Sequence, residues 1–275
     1  MDVRERYLDL MKKSLSFSLW PEPPAPAEHF RDDRGRLANA LVSVGSALVK
    51  PMGLRLMQQP VYDEADRRDG KIWPGYAHTM IGLRRLDNLQ QCVETVLTEG
   101  VQGDLIETGV WRGGSCIFMK AILAAYDDDR RTVYVADSFE GLPRPDAEKY
   151  PADLGDDLYQ YDYLAVSLEQ VKQNFATYGL LDDNVVFLKG WFKDTLPRAP
   201  MEKLAVMRLD GDLYGSTIEA LENLYPKLER GGFCIIDDYA LPTCQQAVDD
   251  FRRAHDIRED LVRVDWSGVY WRRSR

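Results

Sequence analysis

Hydrophobic and polar residues follow two different periods along this chain, and the period changes at Gly103. Before Gly103, apolar residues recur every three or four positions, which is the spacing of one face of an α-helix. This spacing predicts helices over Val3–Leu19, Arg36–Leu56 and His78–Leu97. A proline-rich stretch at 21–26 ends the first helix and predicts a linker or an extended segment.

After Gly103, short apolar runs rich in β-branched residues alternate with helical patterns. The predicted strands are Asp104–Thr108, Thr132–Ala136, Val185–Lys189, Ala205–Leu209 and Phe233–Ile236, and the predicted helices are Ser115–Tyr126, Ser167–Tyr178 and Ser216–Leu228. This alternation predicts an α/β fold with a mostly parallel sheet and helices on both faces. It also divides the chain into a helical N-terminal extension or lid, 1–100, and an α/β domain, 101–275.

Composition narrows the class of protein. The 275 residues are 45% hydrophobic and 29% charged, which is an ordinary balance for a globular core. A formal net charge of −10 argues against a nucleic-acid partner, because no basic stripe is present to neutralise phosphates. No apolar run is long enough to span a bilayer, and the N-terminus has no apolar signal segment, so we expect a cytoplasmic protein without a membrane partner.

The four cysteines show no C-x-x-C spacing, and the histidines have no spacing typical of a zinc site. We expect buried free thiols in a reducing cytoplasm, at Cys92, Cys116, Cys234 and Cys244.

A glycine-rich turn follows the first predicted strand, in the sequence D-L-I-E-T-G-V-W-R-G-G-S. Glycines permit positive φ and close approach of a ligand, and the N–H groups at the start of the next helix attract a negative or polar group. The dinucleotide pattern G-x-G-x-x-G is absent, which disfavours a nicotinamide dehydrogenase. Glu107, just before the turn, suits a ligand with a positive charge and hydroxyls, such as S-adenosylmethionine (SAM). Glycine-rich turns between a strand and a helix are also common as purely structural connections, which is the alternative interpretation.

The next two strands end in residues suited to an adenosine group. Asp137 closes the second strand, where an acidic residue commonly accepts the ribose hydroxyls; capping a helix is the alternative role. Trp191 and Phe192 follow the third strand, where an adenine ring could lie between them or where both rings could belong to the core.

The fourth and fifth strands each end in a pair of carboxylates: Asp210 and Asp212 in L-D-G-D, and Asp237 and Asp238 in I-I-D-D-Y. In a parallel sheet these ends meet at one edge. Clustered carboxylates repel one another and raise one another's pKa unless a cation holds them. Oxygen ligands favour Mg²⁺, Ca²⁺ or Mn²⁺, so this edge is a candidate metal site that also binds substrate.

The chain closely resembles the macrocin O-methyltransferase (TylF-like) family in four ordered motifs: E-T-G-V-W-R-G-G-S, V-A-D-S-F-E-G-L-P, R-L-D-G-D-L-Y-G-S-T and I-I-D-D-Y. The resemblance also includes Y-A-H-T-M-I-G-L-R-R-L-D-N-L-Q and spans roughly Ile72 to Tyr239. It implies a Rossmann-like class I SAM-dependent methyltransferase fold. It further implies SAM- and Mg²⁺-dependent methylation of a deoxysugar hydroxyl on a glycosylated bacterial natural product, as in antibiotic biosynthesis.

The resemblance also assigns residues to roles. It implies that Asp210, Asp237 and Asp238 bind the metal and that Asp212 is the general base. The cofactor-binding residues it implies are Thr79, Met80, Glu107, Thr108, Gly109, Arg112, Gly113, Ser115, Asp137, Ser138, Trp191 and Phe192. In the implied mechanism Mg²⁺ holds two neighbouring hydroxyls, Asp212 takes a proton, and the oxygen attacks the methyl group directly.

Other features leave alternatives open. The segment Arg144–Ala165, with four tyrosines and six acidic residues, is predicted to be a lid over the substrate or an ordinary surface loop. A catechol-type O-methyltransferase, acting on adjacent aromatic hydroxyls, and a non-catalytic SAM-binding protein are the competing functions. The apolar N-terminal segment suggests a homodimer interface.

Overall fold

A seven-stranded sheet occupies the C-terminal part of the computed structural model, which describes residues 2–27, 35–59 and 62–274. Its strands are β1 (Asp104–Thr108), β2 (Val133–Asp137), β3 (Val185–Lys189), β4 (Leu204–Leu209), β5 (Leu228–Ile236), β6 (Val262–Arg263) and β7 (Val269–Arg272). The spatial order is β3-β2-β1-β4-β5-β7-β6, with β1 to β5 parallel and β7 antiparallel to both of its neighbours. The predicted parallel α/β sheet is confirmed, whereas the final antiparallel pair was not predicted.

The helices are α1 (Val3–Leu15), α2 (Arg36–Val49), α3 (Glu64–Arg68), α4 (Gly82–Thr98), α5 (Gly114–Ala125), α6 (Leu168–Thr177), α7 (Phe192–Thr195), α8 (Tyr214–Leu224) and α9 (Pro242–Ala254). Three N-terminal predictions were too long. α1 ends before Phe17, whose φ of 55° is left-handed, and α2 gives way to a short 3₁₀ turn at Pro51. α4 begins only at Gly82, and α9 was missed.

Helices cover both faces of the sheet, as predicted. On one face α1, α4, α5 and α6 share a core through residues such as Leu8, Leu86, Ile117 and Phe175. On the other face α8 and α9 pack with the strands around Trp271. α5 is apolar nearly all round because it lies between α1 and the sheet.

The N-terminal helices differ in how they are placed. α1 and α4 belong to the same core as the sheet, although both precede residue 100. α2 has no buried residue in the structure, and its apolar side chains Leu37, Leu41, Val44 and Leu48 are all exposed. The short strands Ala25–Pro26 and Met57–Gln58 pair with each other, which confirms an extended segment within the proline-rich stretch. The proposed domain boundary at residue 100 stays a prediction.

The four cysteines are free and buried, as predicted. In the described part of the chain, no helix combines the length and hydropathy needed to cross a bilayer.

Candidate active site

A cavity of about 630 Å³ opens beyond the carboxyl ends of the parallel strands. This is the edge at which the ligands of open α/β sheets bind. The predicted site residues in its wall are Met80, Gly109, Asp137, Ser138, Trp191, Phe192, Asp210 and Asp212. The volume is that of a site for a drug-sized ligand. One cavity wall thus contains the predicted adenosine-binding residues together with Asp210 and Asp212, whereas Asp237 and Asp238 lie outside this wall.

The glycine turn after β1 brings backbone segments together. Gly109 has a φ of 80°, and a Cβ there would lie 1.6 Å from the carbonyl oxygen of Asp210, so no side chain fits. The N–H of Gly113 donates to the Val110 carbonyl at 2.7 Å, and that of Gly114 to the His78 carbonyl at 2.9 Å. These two N–H groups, predicted to face a ligand, are therefore bound within the protein.

Asp137 lies in the cavity wall at the end of β2. Its Oδ2 accepts from the N–H of Val110 and its Oδ1 from the N–H of Phe139, both at 2.7 Å. Burial raises the pKa of this carboxyl, and the two N–H donors oppose that rise. Its partners are loop amides rather than the first turn of a helix, so it does not act as a helix cap. Ser138 Oγ lies 3.4 Å from Oδ1 but donates to the Gly141 carbonyl at 2.7 Å, so the carboxylate can still accept from a ligand hydroxyl.

Glu107 lies outside the cavity wall, in the protein interior, with 1% of its surface exposed. Oε1 accepts from Arg208, and Oε2 accepts from the Cys116 thiol at 2.8 Å. Burial raises the pKa of Glu107 to about 7, against the lowering effect of the Arg208 guanidinium. Both of its oxygens thus have protein partners.

Other predicted cofactor residues also lie outside the wall, namely Thr79, Thr108, Arg112, Gly113 and Ser115. Arg112 has a clear structural role: its Nη1 donates to the carbonyls of Gly75 (2.9 Å) and Ala77 (2.8 Å). Its guanidinium also lies 4.1 Å from the ring centre of Trp111, which does line the cavity. Arg112 therefore fixes the loop that precedes α4 against the glycine turn.

Asp210, Asp237 and Asp238 form an acidic cluster in which one oxygen of each lies within 4.8 Å of the others. Asp212 is adjacent: its N–H donates to Asp238 Oδ2 at 3.2 Å. Asp212 has a φ of 56°, an uncommon conformation for a residue with a side chain. The acidic pairs of the two strand ends are thus brought together as predicted.

Two buried arginines that the sequence analysis missed neutralise part of this charge. Arg208, 1% exposed, bonds to Glu107, Asp210 (2.8 Å) and Asp237. Arg85, 8% exposed, bonds to the other oxygen of Asp237. The sequence does mark Arg208, because it is the one charged residue in the otherwise apolar strand L-A-V-M-R-L. Every residue of this strand is buried. No comparable pattern marks Arg85.

The negative charges of Asp212 and Asp238 are not compensated, since no arginine or lysine in the described part of the chain forms an ion pair with either of them. Burial, reinforced by Asp210, raises the pKa of Asp212 to about 8. Burial and then the Asp212 charge hold the pKa of Asp238 well above its usual range. Asp210, Asp237 and Asp238, of which Asp238 is outside the ion pairs, present carboxylate oxygens at a spacing that fits a hard divalent cation such as Mg²⁺.

The segment 144–165 lines the cavity and is bound to the rest of the protein at its middle and near its C-terminal end. Asp153 accepts from the N–H groups of Tyr214 (2.7 Å) and Gly215 (2.9 Å) at the start of α8, which begins two residues after Asp212. Near the C-terminal end of the segment, Trp111 Nε1 donates to the Tyr163 carbonyl at 2.9 Å. Lid closure by this segment stays a prediction.

Comparisons with known proteins agree with this geometry. The profile of the macrocin-O-methyltransferase (TylF) family matches residues 4–273. The 8-demethyl-8-(2,3-dimethoxy-alpha-L-rhamnosyl)-tetracenomycin-C 4'-O-methyltransferase of Streptomyces olivaceus is 51% identical, over 98% of this chain and 94% of the relative. The mycinamicin III 3''-O-methyltransferase of Micromonospora griseorubida is 53% identical, over 80% and 87%. The solved O-methyltransferase NovP superposes with a TM-score of 0.84 at 46% identity, covering 99% of this chain and 100% of that one.

Proposed function

The chain belongs to the macrocin-O-methyltransferase (TylF) family of enzymes with a Rossmann-like methyltransferase fold, and we propose that it methylates a deoxysugar hydroxyl on a bacterial natural product. The observation that carries this proposal is that Asp137, Asp210 and Asp212 face one cavity beside the acidic cluster. The named relatives support the acceptor class, because the substrate of one of them carries a rhamnosyl group. Antibiotic biosynthesis is the corresponding setting.

We propose SAM as the methyl donor. When bound, SAM supplies a methyl group activated by its positive sulfur. Asp137 supports this choice because its carboxylate lies in the cavity wall as an acceptor for ribose hydroxyls, and Trp191 and Phe192 offer apolar rings in the same wall. Gly109 keeps the strand ends close enough for the acidic cluster to lie beside the donor cavity.

Replacing Asp137 by alanine is expected to weaken SAM binding at least tenfold, because two ribose hydroxyls lose a carboxylate acceptor and each such bond contributes about 1.5 kcal/mol or more. Calorimetric titration of the folded variant with SAM measures this. Asp129→Ala, an exposed change before the other end of the same strand, is the matched control. Unchanged affinity in Asp137→Ala would remove Asp137 from the cofactor site.

We propose that the acidic cluster holds Mg²⁺, which would act as a Lewis acid and lower the pKa of a hydroxyl beside it. The protein's own part is to position the acceptor and to take the proton. Asp212 is suited to take the proton because its carboxylate lies in the cavity wall and outside the ion pairs, and because a cation in the adjacent cluster would lower its pKa from about 8. Arg208 cannot take that proton, because its guanidinium is already protonated and three carboxylates hold it in that state.

The acceptor class is tested by incubating the enzyme with SAM, Mg²⁺ and a panel of glycosylated natural products, with methyl addition read by mass spectrometry. A matched catechol tests the competing function. We expect a mass gain of one methyl on the sugar of a glycoside. Methylation of the catechol alone would mean that the acceptor is an aromatic diol and not a sugar. No methylation of any acceptor would support a non-catalytic SAM-binding protein.

Two further parts of the proposal concern the protein's surroundings. We propose a homodimer, supported by the exposed apolar residues of α2, which a second copy would cover. Sedimentation equilibrium showing a monomer at micromolar concentration would contradict it. Four buried free thiols support a reducing, cytoplasmic location.

A further inference from the structure

Arg85 is a buried side chain that reaches the acidic cluster from α4. Its Nη1 donates to Asp237 Oδ2, and its Nη2 donates to the Gly70 carbonyl at 3.1 Å. Its Nε lies 3.0 Å from Asp265 Oδ2, a charge contact that lacks hydrogen-bond geometry. One guanidinium thus joins the loop before α4, the end of β5 and the loop between β6 and β7.

The place of Arg85 is determined by close backbone contacts. Gly70 has a φ of 64°, and a Cβ there would lie 2.6 Å from Arg85 Nη2. Gly82, at the start of α4, has a φ of 69°, and a Cβ there would lie 2.4 Å from the Gly70 nitrogen. On the opposite side, a Cβ on Gly268 would lie 3.0 Å from Arg85 Cδ. The guanidinium therefore has little room to move.

The same surroundings hold Asp237. Its Oδ1 accepts from Arg208, its Oδ2 from Arg85, and its carbonyl from the Ser267 hydroxyl at 2.7 Å. Asp265 closes this loop by accepting from the N–H of Ser267 at 2.9 Å. Asp237 is thus held at all three oxygens, whereas the carboxylate of the adjacent Asp238 accepts only the Asp212 N–H among the described residues.

We propose that Arg85 is a positioning residue: it fixes the carboxylate of Asp237 in the orientation that binds a divalent cation, without touching substrate. This inference rests on the proposed metal site. Electrostatics alone predicts the opposite effect, because removing a positive charge beside a ligand carboxylate strengthens cation binding. The sign of the change therefore distinguishes positioning from charge.

The test is Mn²⁺ binding to the SAM-free protein, measured by calorimetry and by electron paramagnetic resonance of free Mn²⁺. Arg85→Met is expected to raise the Kd for Mn²⁺ by about 10–100-fold, the usual effect of removing a residue that orients a metal ligand. The matched control is Arg84→Met on the same helix, since Arg84 is 52% exposed and pairs only with Asp69 among the described acids. Its Kd is expected to stay at the wild-type value.

A milder variant covers the case in which Arg85→Met does not fold. Arg85→Lys keeps the charge, but a single ammonium cannot reach Asp237, the Gly70 carbonyl and Asp265 together, so it is also expected to weaken Mn²⁺ binding. Wild-type or tighter binding in the folded Arg85 variants overturns the positioning role. A wild-type protein that binds no Mn²⁺ overturns the proposed metal site itself.

Discussion

Replacing Asp212 by asparagine is expected to lower kcat by about 10²–10⁴-fold, the usual contribution of a positioned base. The amide keeps the size of the carboxylate but cannot accept a proton at neutral pH. Asparagine also tolerates the left-handed backbone that Asp212 adopts at a φ of 56°. The variant should therefore fold normally and lose only the proton acceptor. Single-turnover kinetics with SAM and a glycoside acceptor measure the loss.

The matched control is Asp210→Asn, because Asp210 belongs to the acidic cluster and lies two residues away. We expect it to raise the Mg²⁺ concentration needed for half-maximal rate, while Asp212→Asn leaves that concentration and the SAM affinity near wild type. A metal requirement that shifts with Asp212 and not with Asp210 would mean that the two roles are reversed.

Removal of the metal is expected to lower the rate by at least about 10²-fold, because a bound cation stabilises developing charge by several kcal/mol and each 1.36 kcal/mol is tenfold. EDTA treatment followed by added Mg²⁺ should abolish and then restore turnover. Asp238→Asn should lower turnover as EDTA does, because it removes the carboxylate of the acidic cluster that no arginine neutralises in the described chain. Asp256→Asn, an exposed acid beyond α9, is the control. Full activity after EDTA would exclude the metal.

The raised pKa of Asp212 predicts how the stability of the metal-free protein depends on pH. The pKa of Asp212 is about 8 in the folded protein, against an ordinary value of 3.8. Between these values the folded state holds a proton that the unfolded state releases, so the free energy of unfolding falls as pH rises through this window. We expect EDTA-treated protein to melt at a lower temperature at pH 8 than at pH 5, and Mg²⁺ to reduce the difference. A melting temperature that rises with pH in EDTA would contradict this.

The sequence was sufficient for the features that depend on neighbours along the chain. A strand buried on both faces appears as a short apolar run, so β1 and β3 were predicted with their observed bounds. In a parallel sheet all such strands end at one edge, and this rule alone predicts that Asp210 and Asp238 lie together, as they do. The antiparallel pair β6 and β7 escaped prediction because its strands have only two and four residues, and because β7 is placed by its pairing with β5 and β6 by its pairing with β7.

Only the tertiary structure decided which partners each buried charged side chain contacts. Arg85 and Asp237 stand 152 positions apart, and nothing local to either residue marks the pair. Glu107 and Asp137 occur at similar strand ends, yet Asp137 lies in the cavity wall while Glu107 is turned to Arg208 and Cys116. Local patterns determine the strands and the residues at their ends, because hydrophobic burial follows the period of the chain. The charge balance of the site depends on contacts between distant segments, which only the folded chain brings together.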